Sequence, residues 1–369
     1  MNSTNRIPII DLLRGMSCLG VLLYHVRVDL WVGWWKIKHF PNEFSQSEKL
    51  LAWLSVPSPF LGYAILLFFL ISGFCIHYPN TKGVSEPNWK AYFIRRFLRI
   101  YPTYFIALLL TSSISLLCHF LWDDKTWDIG RIFRVATLSQ NYPPDEGQLL
   151  CNPSLWTIPL EIEFYILYPI VFLLFSRSLT WLLAILSIGI SSGSVLLQSQ
   201  GILWPAFTAA FLWPTWLLGA WIAELYRKEK LSNLKIYQLV IPSLIFLILA
   251  ITSRIENWAS WSQYTSWTGF YFFFFLFSLT YSKLIYSILG PNLFRALSWL
   301  GKISFSLYLI HFPLFRLFGY LHFEAIGEKP ANFLVTILFL IPVIFLAWIF
   351  YNLIEKPVHK WSKKIANAR

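Results

Sequence analysis

Residues 11–25 read Asp11-Leu12-Leu13-Arg14-Gly15-Met16-Ser17-Cys18-Leu19-Gly20-Val21-Leu22-Leu23-Tyr24-His25. An arginine and a histidine bracket a ten-residue, mostly apolar run that suits a helix in hydrocarbon. A charged side chain there costs about 3 kcal/mol or more, so it faces a bundle interior or a wet cavity and is functional by default. Eleven steps of about 100° make three turns and a small remainder, which puts Arg14 and His25 on one helix face. They stand about 16 Å apart along the axis, half a bilayer core. One cation toward the inner half and one titratable ring further out outline a path across a membrane. Asp11, one turn before Arg14, is placed to pair with it.

The rest of the chain extends this reading. Of 369 residues, 57% are hydrophobic and 13% charged, against about 25% charged in a soluble domain. The expected fold is all-α and integral to a membrane, with about ten spans at 7–28, 60–78, 100–121, 156–175, 179–197, 204–223, 236–253, 265–282, 303–321 and 332–352. Nineteen of the 30 Lys and Arg residues, Arg6, Lys82 and Arg369 among them, fall on one face when both termini are cytoplasmic, which sets the orientation. The net charge of +12 is then a membrane-face charge that attracts anionic lipid or ligand and requires no nucleic acid. The first span has no small-residue cleavage site and reads as a retained helix, not a signal peptide. The expected organisation is a transmembrane domain over 1–355, a basic cytoplasmic tail over 356–369 and no appended soluble domain.

Three further clusters carry candidate chemistry. Trp89 to Pro102 interleaves aromatics with Lys90, Arg95, Arg96 and Arg99 at helical spacing, as in a helix on the inner surface. It serves either as a topogenic charge cluster or as a phosphate grip, for which guanidinium forks are suited. Glu161 and Glu163 are two residues apart and do not share a helix face. Glu161, about 8 Å below the outer surface, is favoured for the cavity, at the depth expected of His25. Ser304, Tyr308 and His311 run at i, i+4 and i+7, a polar stripe that is either packing glue or part of a site. The four cysteines, Cys18, Cys75, Cys118 and Cys151, lack zinc spacing. They read as small hydrophobes, with Cys118 and Cys151, both near the outer face, as one candidate disulfide. No histidine spacing points to a metal, and no metal is expected.

Taken together, these clusters resemble the acyltransferase 3 family of integral-membrane O-acyltransferases, typified by bacterial surface-polysaccharide O-acetylases. Asp11 to Gly15 followed by His25 looks like the family's arginine–ten residues–histidine motif. Phe68-Phe69-Leu70-Ile71-Ser72-Gly73-Phe74 is similar to its second-span signature, and Arg95 to Pro102 to its basic inner loop. Trp156-Thr157 with Glu161 and Phe164-Tyr165 resembles its tryptophan–glutamate–aromatic element. Ser304 to His311, and Tyr351 with Ile354-Glu355-Lys356-Pro357, match its two closing elements. Two positions depart from the pattern: Ser154 stands where members often carry histidine, and Glu161 and Glu163 are split where acidic residues are commonly adjacent.

The resemblance implies a multi-pass enzyme of the bacterial inner membrane with acetyl-CoA as donor and a glycan hydroxyl, on a lipid-linked or surface polysaccharide, as acceptor. It implies His25 and Glu161 as catalytic residues and Arg14, Arg95, Arg96 and Arg99 as donor-binding residues. Asp11, Ser72, Tyr308 and His311 take supporting roles. On this scheme His25 either removes the acceptor proton, paired with Glu161, or carries the acyl group itself. The outer tryptophans Trp31, Trp34, Trp35 and Trp127 either stack on sugar or anchor the interface. A transporter with an intramembrane charged pathway and a polyprenyl-phosphate sugar transferase remain open from the residues alone.

Overall fold

The computed structural model describes residues 7–81 and 87–367, so Arg6, Lys82 and Arg369 lie outside the described residues. The chain is helical, with no strand among the described residues. Its principal helices are α1 (Pro8–Asp29), α2 (Ile65–His77), α3 (Trp89–Trp122), α4 (Thr157–Ser176), α5 (Thr180–Ser199), α6 (Ala209–Arg227), α7 (Ile236–Ile255), α8 (Ser260–Thr280), α9 (Ser282–Ile326), α10 (Leu340–Phe350) and α11 (Lys356–Asn367). Among the described residues, nine helical segments are long and apolar enough to cross a membrane. The remaining expected span, 265–282, corresponds to α8, which is 21 residues long but not one of the nine. Its hydroxyl and amide side chains lower its hydropathy. They are satisfied locally: Thr265 and Ser266 donate to carbonyls one turn back, and Thr268 meets Thr215 at 3.0 Å.

Local signals set the helix ends. The Asn88 side chain accepts from Ala91 N–H at the start of α3, and the Thr208 side chain from Ala210 N–H at the start of α6. Pro102, Pro169, Pro214 and Pro242 stand inside helices, as hydrocarbon-embedded bundles allow. α9 breaks at Gly290, whose φ of 70° only glycine adopts readily. The expected basic tail is the helix α11 across its described residues.

The chain divides into two compact units, and α1, α4 and α9 each contribute to both. In the first unit (Met1–Leu19, Tyr63–Pro87, Leu167–Ser304) two helix pairs touch through glycines. A Cβ on Gly15 would come within 1.9 Å of the Leu297 carbonyl oxygen, and one on Gly301 within 1.8 Å of that of Asp11. A Cβ on Gly73 would come within 2.0 Å of the Trp216 carbonyl oxygen, and one on Gly219 within 2.0 Å of that of Leu70. Small residues let backbones approach this closely, and packing replaces the absent hydrophobic drive in lipid. Gly15 and Gly73 belong to the motif stretches of the sequence, so these motifs hold glycine for helix contact.

In the second unit (Gly20–Gly62, Asn88–Ile166, Phe305–Arg369) the segment after α1 folds into short helices, Trp34–His39 and Gln46–Ala52. Trp31 is 4% exposed, packs with Ile37, Phe44 and Phe333 and donates to the Ala331 carbonyl at 2.8 Å. It is a core residue; neither of the surface roles considered for it is open. The four cysteines are free thiols, so Cys118 and Cys151 form no disulfide.

Candidate active site

The second unit brings α1 and α9 together through two imidazoles. His25 Nδ1 and His311 Nε2 are 2.8 Å apart, with the rings within 12° of parallel. His311 is fully buried, and its Nδ1 faces the carbonyl oxygens of Tyr308 at 2.8 Å and Leu307 at 3.1 Å. Only an N–H fits against carbonyl oxygens, so Nδ1 of His311 carries the proton. In the neutral ring Nε2 is then the acceptor, and His25 Nδ1–H donates to it. The chain of donors leaves the lone pair of His25 at Nε2, on a ring that is only half-buried. Tyr24 and Phe312 flank that ring at 5.0 and 4.8 Å.

A polar network anchors α9 behind this pair. Tyr308 donates to the Ser154 carbonyl at 2.6 Å and meets the Thr157 hydroxyl at 2.8 Å. Asn152 donates to the Leu309 carbonyl at 2.9 Å and accepts from the Ser154 hydroxyl at 2.6 Å. Gln140 and Asn141 donate to the carbonyls of Leu155 and Trp156. These contacts fix the entrance to α4 against the turn of α9 that carries His311. Asn152, Gln140 and Asn141 were not among the expected site residues. They lie in an irregular segment without periodicity, and only their burial, 1% exposure or less, marks them.

Glu161 and Glu163 take different partners, as their spacing requires. Glu161 accepts from Tyr165, whereas Glu163 accepts from Tyr142 at 2.5 Å. Tyr165 also lies under the Arg96 guanidinium, 5.5 Å from its centroid, and Tyr92 lies 5.6 Å from the same group. Arg99 is within electrostatic reach of Tyr165, and Arg95 is exposed. Glu161 is thereby tied, through one tyrosine, to the basic stretch of α3. Arg96 and Tyr165 line a largely apolar cavity of about 710 Å³ with Phe93, Phe97 and Trp361. Nδ1 of His25 is held by an imidazole, where the sequence suggested a carboxylate.

Three expected residues belong to the first unit. Arg14 is half-buried on α1, three residues after Asp11. Asp11 stands in the first turn of α1, where unpaired N–H groups of the helix end already favour an anion. Ser72 accepts from the Trp216 indole at 3.2 Å. A second buried histidine, His77, joins Tyr168 and Glu224 at 3.2 and 3.0 Å, and Lys228 completes the cluster on Glu224. Among the described residues, no group of three His, Cys, Asp or Glu side chains is arranged to hold a metal ion.

A family model described as an acyltransferase domain matches residues 7–352. The chain belongs to the acyltransferase 3 family. Among curated acyltransferase relatives, SACOL0978 of Staphylococcus aureus strain COL, provisionally named an O-acetyltransferase, is 26% identical over 401 residues, covering 98% of this chain and 59% of that protein. O-acetyltransferase OatA of S. aureus strain NCTC 8325 is 26% identical over 396 residues, covering 98% and 58%. The chain thus spans about three fifths of the length of these relatives. No solved structure matches it.

Proposed function

We propose that this integral-membrane acyltransferase transfers an acetyl group from cytoplasmic acetyl-CoA to a hydroxyl of a surface or lipid-linked glycan. The observation that carries the reading is the His25–His311 hydrogen bond, which leaves one lone pair on Nε2 of the partly buried His25. Family membership and the names of the O-acetyltransferase relatives support it.

In this scheme His25 Nε2 takes the proton of the acceptor hydroxyl as that oxygen attacks the thioester carbonyl. The C–S bond breaks, and the imidazolium returns its proton to the departing thiolate. His311 is a positioning residue, because it fixes the tautomer and orientation of His25. Arg96 and Arg99, with the exposed Arg95, hold donor phosphates at the cytoplasmic face, and Glu161 acts through Tyr165 to place Arg96. On α1, Arg14 lies about 16 Å inward of His25, a span suited to an extended pantetheine arm. A guanidinium there suits an anionic or carbonyl-bearing ligand. The plasma membrane, with both termini cytoplasmic, places the donor where it is made.

Proteoliposomes given labelled acetyl-CoA and a glycan acceptor test this. Wild-type protein is expected to move label to the glycan and release CoA, and His25→Ala to lose at least 10²-fold in rate while staying monodisperse. Wild-type turnover by His25→Ala would overturn the assignment. Solute movement with CoA left acylated would favour a transporter.

A further inference from the structure

One helical turn beyond the imidazole pair, α1 and α9 meet again. Asp29 follows His25 by four residues and Arg316 follows His311 by five, which puts the second meeting about 6–8 Å further along the axes. Arg316 Nη2 is 3.5 Å from Asp29 Oδ1, and Nη1 is 3.4 Å from Asp124 Oδ2. Both contacts lie at the far edge of hydrogen-bond range. A guanidinium has five N–H donors, and here two of them make only these long contacts. Asp29 Oδ2 has no hydrogen-bond partner. Polar groups this sheltered are normally saturated, so this network is incomplete as it stands.

The same groups border a cavity of about 430 Å³, with Tyr320, Phe323 and Lys329 on its wall. Tyr320 donates to Asp124 Oδ2 at 2.8 Å, and its ring stacks on Trp122 at 5.0 Å, 3° from parallel. The volume lies within the range of small-molecule sites, about 300–1,000 Å³. Two carboxylates and two cations cancel, so the wall does not select for a charged ligand. Donors and acceptors stand side by side against aromatic surface, which matches the adjacent hydroxyls and apolar face of a sugar ring.

We infer that the Asp29–Arg316–Asp124 cavity is a binding site for an uncharged sugar unit of the acceptor, holding it so that a hydroxyl reaches His25. This inference rests on the reading of the protein as a glycan O-acyltransferase. Within the second unit, Asp124 lies just past the end of α3 and Arg95, Arg96 and Arg99 lie near its start, so the length of that helix separates the acceptor from the basic stretch that holds the donor.

The test uses the full-length protein in nanodiscs. Binding of maltose and of N,N′-diacetylchitobiose, as uncharged probes, is measured beside binding of acetyl-CoA, for wild type, Asp29→Asn and Arg316→Lys. Arg316→Lys keeps the charge between the carboxylates and loses only the fork, so it stays informative if Asp29→Asn folds poorly. Wild type is expected to bind at least one of the two saccharides. Each variant is expected to weaken that binding at least ten-fold while acetyl-CoA affinity stays within two-fold. Saccharide binding unchanged in both variants, or absent in wild type, overturns the proposal, as does a parallel loss of saccharide and acetyl-CoA binding. Failure of the acyl-transfer reading shows separately: wild type would bind the saccharide yet leave acetyl-CoA intact when both are present.

Discussion

His25 and His311, 286 residues apart in the chain, share a 2.8 Å hydrogen bond. Its direction is set from the buried side, because the carbonyls of Leu307 and Tyr308 claim the Nδ1 proton of His311. The pair has the logic of a base oriented by a second residue: the fully buried ring dictates which nitrogen of the partly buried ring is free to accept a proton.

His311→Ala is expected to lower kcat about 10²-fold, with donor and acceptor KM little changed, since the ring is fully buried. His311→Gln, whose carbonyl oxygen can accept from His25 Nδ1–H, is expected to recover part of that loss. Steady-state kinetics on both variants decide it. A His311→Ala enzyme with full kcat would show that His25 orients itself.

Arg96 is held over Tyr92 and Tyr165, and Tyr165 in turn donates to Glu161. Arg96→Ala is expected to raise the KM for acetyl-CoA about ten-fold. The wild-type KM should rise with ionic strength, because phosphate contacts are screened, and that of the variant should rise less. An unchanged donor KM would return the basic stretch to a purely topogenic role.

Gly15 and Gly301 each meet a backbone carbonyl oxygen closer than a methyl group permits. Gly15→Ala or Gly301→Ala is expected to cost about 3 kcal/mol or more, the upper range for overpacking, because backbone cannot step aside as a side chain does. Gly189, where an added methyl would meet nothing within 4 Å, is the control. Thermal unfolding in detergent reads the difference, and equal stability of Gly15→Ala and Gly189→Ala would contradict the close crossing.

Asp124 lies just past the end of α3. Burial acts to raise its carboxyl, but hydrogen bonds from Thr126 and Tyr320 and the Arg316 guanidinium outweigh it and hold the group below the ordinary carboxylate range. A carboxyl depressed on folding stabilises the protein fully above its unfolded value, about 3.9. That stabilisation is lost as pH falls through the folded value. Unfolding temperatures measured from pH 7 down to pH 3 should therefore drop more steeply for wild type than for Asp124→Asn, which is the less stable of the two at pH 7. Parallel curves would remove Asp124 from the acid response.

Much of the site was visible along the chain. Arg14, His25, Tyr308 and His311 announce themselves as polar residues in apolar helices, where each needs a reason to be. Glu161 did so too, but its partner was not readable: depth along a span suggested His25, whereas the fold gives it a hydrogen bond from Tyr165, whose ring lies under Arg96. Arg316, inside the expected span 303–321, carried the same signal and was missed; Asn152 and Asp29 were silent for a different reason. They sit in loops or toward helix ends, where a polar residue is ordinary, and only their neighbours make them informative.

Hydropathy, basic-residue bias and helical register act over a few turns of one segment, so the primary structure alone established an all-helical membrane protein with Arg14 and His25 on a common face. Which imidazole meets which, and which guanidinium stands between two carboxylates, depends on helices hundreds of residues apart. Such pairings are fixed by the packing of side chains and glycine contacts in three dimensions, and no local pattern encodes them.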